Sequence, residues 1–237
     1  MAAEPSIAIG ADMDPFGFVA LNANFKPQSA SNVTANTFAL ALNNKGDKAA
    51  ESAAFDVRNN YTAEYKYVGS DMITELGIVA SAVWVHNAIA VENISLAFSA
   101  TDYATISVTG HQHATTTHDT ATGAKWNWGG IFAAGLSGLR IPTLTSPTHV
   151  ITPGASNAIT DLTVTIALTH VDHITGGGVH FVGSNTGCRV DISASGIGNF
   201  SGMTIGSAWA TDSSTDSDSN TDHDTWAYSG HLYLTRN

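Results

Sequence analysis

Three histidines and an aspartate fall within nine positions of TISVTGHQHATTTHDT (105–120), and THVDH (169–173) adds His170, Asp172 and His173. Imidazoles and carboxylates at such spacings are the donors that zinc-class ions take. On an extended strand His111 and His113 share one face and form half of a zinc site, with His118 and Asp119 arriving from the loop that follows. The chemistry a triad of His111, His113 and His118 would support is metal-assisted hydrolysis. THVDH precedes a GGG turn and reads as polar residues at a loop edge; a site shared with the first group is the alternative.

Other features weigh against a metal. The order H-x-H-x4-H-D departs from the His-x-His-x-Asp-His arrangement of metallo-β-lactamase-like hydrolases, and no α/β alternation surrounds it. The reading preferred here is the polar end of a strand. A second pattern concerns oxygen ligands: Asp216, Asp218, Asn220, Asp222 and Asp224 alternate as D-x-D-x-N-x-D-x-D, which suits a hard cation such as calcium. A calcium loop needs Gly at its sixth position and a bidentate Glu at its twelfth, where Thr221 and Ala227 stand. A solvated acidic loop over 211–225 is therefore expected, and no cofactor, with calcium at Asp216, Asp218 and Asp222 as the exception the pattern admits.

Trp126 and Trp128 of WNW share one side of an extended segment, where they would stack on a sugar ring or bury between subunits. Catalytic signatures are otherwise missing: the sequence contains no G-x-S-x-G, P-loop, H-E-x-x-H or C-x-x-C. GIGNFSG (196–202) follows a β run but opens no convincing helix, as a dinucleotide site requires. The chain does not read as an enzyme.

The elements that must position these residues are strands. Period-two alternation recurs in YTAEYKYV (61–68), NISLAFSA (93–100), ATISVTG (104–110), DLTVTIAL (161–168), CRVDISA (188–194) and HLYLT (231–235). FGFVALNANF (16–25) and TFALALN (37–43) suggest further strands joined by the polar KPQSASNVTAN. Helical composition is confined to AAESAAFDVR (49–58) and the stretch around IFAAGL (131–136), so at most two short helices are expected. The fold class is all-β, an antiparallel sandwich or barrel. Three of six prolines lie in LRIPTLTSPTHVITPG (139–154), which suggests an N-terminal β unit over 1–150 and a C-terminal one over 151–237, or one continuous domain.

Composition limits the partners. Among 237 residues only 12% are charged, about half of the roughly 25% common in soluble chains. Thr, Ser, Asn and Gly supply a neutral surface, the kind a subunit covered by copies of itself carries. The net charge of −11, from 9 basic and 20 acidic residues, disfavours binding nucleic acid by phosphate neutralisation. The single Cys188 leaves no intrachain disulfide and reads as a small core residue. MAAEPSIAIGADMD lacks the basic start of a secretory signal, and GIVASAVWV is too short to span a bilayer, so assembly inside a cell without a membrane partner is expected.

NNYTAEYKYVG, ENISLAFSATDYATISVTGHQH and TDLTVTIALTHVDH, long Thr-alternating strands loosely echoed in two halves, resemble bacteriophage virion structural proteins, most nearly tail tube and related head or tail β-sandwich subunits. The resemblance carries no site residues. It implies a non-enzymatic homo-oligomer in the virion, bound to other virion proteins, whose strands join into rings stacked as a tube through which DNA passes without specific binding. A neck protein belongs to the same reading. The alternatives are a capsid decoration or fibre protein that binds host glycans through Trp126 and Trp128, and a metal-dependent hydrolase.

Overall fold

The computed structural model describes residue 16 and residues 24–52, 55–70, 72, 85–86, 89–113, 141, 150–154, 157–177, 180–218 and 223–234. The protein is all-β, in the sandwich or barrel class. Its strands are β1 (Phe25–Thr37), β2 (Leu40–Leu42), β3 (Lys48–Glu51), β4 (Phe55–Tyr67), β5 (Val85–His86), β6 (Ile89–Ser99), β7 (Ala104–His113), β8 (Ile151–Thr152), β9 (Ala158–Ile174), β10 (His180–Ile197), β11 (Thr204–Ile205), β12 (Ala210–Ser217) and β13 (Thr225–Tyr233). One large antiparallel sheet runs β1-β4-β7-β6-β9-β10-β13-β12, with β5 added to β6. Pairs β2-β3 and β8-β11 form two small sheets.

Alternation in the sequence builds the core directly. Along β4, Tyr61, Ala63, Tyr65 and Tyr67 are buried, while Thr62, Glu64 and Lys66 face outward to varying degrees. Ile94, Leu96 and Phe98 on β6, Ile106 and Val108 on β7, and Leu162, Val164 and Ile166 on β9 continue the same buried face. Register fixes these positions: Ile94 lies opposite both Val108 and Ile166. A one-residue slip would turn every one of these side chains outward. Residues on both sides of position 150 share this sheet, because β6 pairs with β9 from Asn93↔Ala167 to Ser99↔Asp161.

Three segments differ from their sequence expectations. KPQSASNVTAN is no connection but most of β1, paired with β4 from Phe25↔Tyr67 to Thr37↔Phe55. Its Ser and Asn residues are poor strand formers, and the long ladder with β4 overrides that preference. Pro27 fits because β1 is a sheet edge and the register shifts beside it, between Pro27 and Ser29. AAESAAFDVR shows no helix among its described residues: its ends lie in β3 and β4, where pairing with β2 and β1 overrides the weak strand preference of alanine. The acidic stretch begins as strand β12, which pairs with β13 from Ala210↔His231 to Ser217↔Thr225, where backbone hydrogen bonds replace the apolar burial the segment lacks. The stretch around IFAAGL lies outside the described residues.

Candidate metal centre

The two histidine-bearing segments of the sequence meet in space. His111 and His113 end β7, and His170 and Asp172 lie on β9 beyond its last pair with β6. His180 opens β10 after the glycine-containing turn. In the sheet β6 separates β7 from β9, yet their side chains touch. The register explains this. β6 stays paired to β7 as far as Ala90↔His111 but leaves β9 at Asn93↔Ala167, and the shift between Val91 and Asn93 puts Glu92 outside the ladder. Such a bulge bends its strand and re-aims the side chain at the extra residue. Gly110 sustains the close pairing next to His111, for a Cβ there would lie 2.5 Å from the carbonyl oxygen of Ala90.

Asp172 is the hub. Its Oδ2 lies 3.2 Å from His111 Nε2 and 3.1 Å from His113 Nε2, while its Oδ1 lies 2.8 Å from both His170 Nε2 and His180 Nε2. Glu92 Oε1 approaches the other nitrogen of His111, Nδ1, at 2.7 Å. The rings pack on one another: His113 stacks on His180 with centroids 3.9 Å apart, and His111 meets His170 edge-on at 4.8 Å. The His111 and His113 side chains are 1% exposed and Asp172 is 16% exposed, so this centre is largely buried, while Glu92, 41% exposed, reaches water at its rim.

Charge follows from this packing. Burial opposes the charged form of His111, but hydrogen bonds to Asp172 and Glu92 outweigh it and raise the imidazole to about 9. Burial also opposes ionisation of Asp172, yet hydrogen bonds from four imidazoles hold its carboxyl far below the usual range. Glu92 is lowered chiefly by its hydrogen bond to His111. For His180 burial wins, and its pKa falls. Oδ1 of Asp172 takes the short hydrogen bonds of His170 and His180, while Oδ2 faces the Nε2 atoms of His111 and His113.

Among the described residues, one group of three His, Cys, Asp or Glu side chains has donor atoms close enough to share an ion: His111, His113 and Asp172, all within 4.8 Å of one another. His111 and His113 were legible as a pair at a strand end. Asp172 and His170 were legible in type but not in place. His180 and Glu92 were missed; the GGG turn hinted that strands on either side would pair and bring His180 beside Asp172, whereas no local pattern marks Glu92. His173 is exposed and stands apart from the cluster. His118, Asp119, Trp126, Trp128, Asn220 and Asp222 lie outside the described residues.

Of the calcium pattern, Asp216 and Asp218 lie on or just past the far edge strand β12, and Asp224 precedes β13. Asp216, on β12, accepts a hydrogen bond from the backbone N–H of Phe200, and Asp218 follows the strand's end in an exposed position. No protein-family model matches the chain, and no curated protein matches its sequence. Among the described residues no helix is long and apolar enough to cross a membrane.

Proposed function

We propose that this chain is a non-enzymatic structural subunit that assembles with copies of itself, of the kind that builds a phage tail tube or neck. The carrying observation is the contrast between the two edges of the large sheet. Edge strand β12 holds Asp212 and Asp216, charges of the sort that deter another strand from pairing. Edge strand β1 is thirteen residues long, and after Lys26 it contains no charged residue at all. Among the described residues no strand pairs with the outer side of β1, and beyond Lys26 and Pro27 it carries none of the residues that deter one, so its outward N–H and C=O groups can template a further strand.

The hairpin that follows β1 in the chain supports the same reading. Every residue of β2 and β3 is exposed, and Phe38, Leu40 and Leu42 are 50%, 56% and 57% exposed. Two strands alone are marginally stable in water, and apolar side chains displayed on them favour cover by a partner. Val33, 59% exposed on β1, is a further displayed apolar side chain. A second copy is the occupant consistent with a surface so poor in ionic groups.

The resemblance to virion proteins supplies the setting, a virion assembled in its host with other virion proteins as neighbours. A net charge of −11 suits a DNA conduit, since an acidic wall repels phosphates and lets the duplex slide. Negative-stain microscopy of concentrated recombinant protein tests the reading. Stacked rings or tubes are expected; rings that never stack would favour a capsid decoration instead, and a strictly monomeric protein would overturn assembly altogether. The competing class is a metal-dependent hydrolase, favoured by the His111, His113 and Asp172 arrangement. It predicts zinc-dependent turnover of simple ester or phosphoester substrates.

A further inference from the structure

We infer that His111 Nε2, His113 Nε2 and Asp172 Oδ2 bind a zinc-class divalent ion that clasps β7 to β9. This inference is independent of the assembly reading. Four strands supply the cluster, and no local stretch of chain would bring these groups together by chance of sequence alone: His111 and His113 come from β7, Asp172 and His170 from β9, Glu92 from β6 and His180 from β10.

Distances divide the six residues into ligands and supports. Ligands about 2.0–2.1 Å from a tetrahedral zinc lie about 3.3 Å from one another. The contacts of Asp172 Oδ2 with His111 Nε2 and His113 Nε2, at 3.2 and 3.1 Å, match that edge. All three residues have donor atoms within 4.8 Å of one another. By contrast, His170 and His180 sit 2.8 Å from Asp172 Oδ1, the length of a charge-assisted hydrogen bond. They orient the carboxylate while leaving Oδ2 for the ion.

The supports are those a metal site uses. Glu92 faces His111 Nδ1 at 2.7 Å, the carboxylate–histidine arrangement that fixes the tautomer and turns Nε2 toward a metal. The stack of His113 on His180 fixes the second ring. Two imidazoles and one carboxylate select a borderline transition ion over calcium or magnesium, which take oxygen shells. The clasp also has a mechanical task, because β9 has lost β6 as a neighbour past Ala167.

Untagged full-length protein, stripped with chelator and reloaded with cobalt(II), provides the test. We expect about one ion per chain, with visible bands of four-coordinate cobalt that disappear on addition of zinc, and a melting temperature raised by about 5–10 °C at saturating zinc. Asp172→Asn and His113→Gln should each abolish the bands, whereas His173→Gln should keep them. If either variant fails to fold, cobalt broadening of the His111 and His113 imidazole resonances in the unaltered protein identifies the ligands. Absence of cobalt bands, bands that survive in folded Asp172→Asn, or broadening of other histidines alone would each overturn the inference.

Discussion

Replacing Asp172 by Asn tests whether the imidazole cluster holds the sheet together even without an ion. The substitution conserves size and keeps one carbonyl oxygen, but it removes the negative charge to which four Nε2 atoms are drawn. Hydrogen bonds to charged groups contribute about 1.5–3 kcal/mol each, and stranding one member of a buried ion pair costs about 3–5 kcal/mol. Asparagine retains part of this, and Asp172 is 16% exposed, so water recovers another part. A loss of about 2–4 kcal/mol remains. For a chain of this length each kcal/mol moves the melting temperature by about 2–4 °C, which gives a fall of about 5–15 °C. Calorimetry at neutral pH with excess chelator measures it free of any metal contribution. A loss below about 0.5 kcal/mol, the scale of an ordinary surface substitution, would show that the cluster adds nothing to the fold.

Three further outcomes follow from packing and edges. A Cβ at Gly196 would press on the carbonyl oxygen of Ala158 and lie 2.7 Å from the Trp226 ring, so Gly196→Ala should cost about 3 kcal/mol in urea unfolding. Burial pushes the Cys188 thiol from about 9 up to about 12. The folded state therefore keeps a proton that the unfolded state releases, and this contribution to stability, whole below pH 9, is lost as pH rises toward 12. Cys188→Ala should flatten that part of the stability profile, and native Cys188 should resist thiol reagents at neutral pH. Val33→Lys, which sets a cation in the middle of the uncharged edge, should shift light-scattering mass toward the monomer with little change in melting temperature.

Much of this fold was legible because burial here follows alternation. Tyr61, Tyr65 and Tyr67, or Ile94, Leu96 and Phe98, announce their shared face by spacing alone. β1 escaped because Ser29, Ser31, Asn32 and Asn36 carry loop-like preferences, and its strand character comes from β4, far along the chain. The acidic stretch escaped for a related reason: its charges argue against burial, but an edge strand needs pairing on one side only. For the cluster, residue types were visible and convergence was not. That His111 faces Asp172 depends on β6 parting from β9 at Asn93, an outcome of pairing between distant strands that no short window encodes.

The outer edge of β1, which no described strand pairs, allows the most direct test. Amides between residues 28 and 37 that point away from β4 should exchange fast in dilute protein and become protected as concentration rises, in step with growing particle mass. Hydrogen exchange read by mass spectrometry across a dilution series would show it. If those amides exchange at one unchanging rate while larger particles form, β1 is not the joint; if neither protection nor particles appear, the chain is no self-assembling subunit.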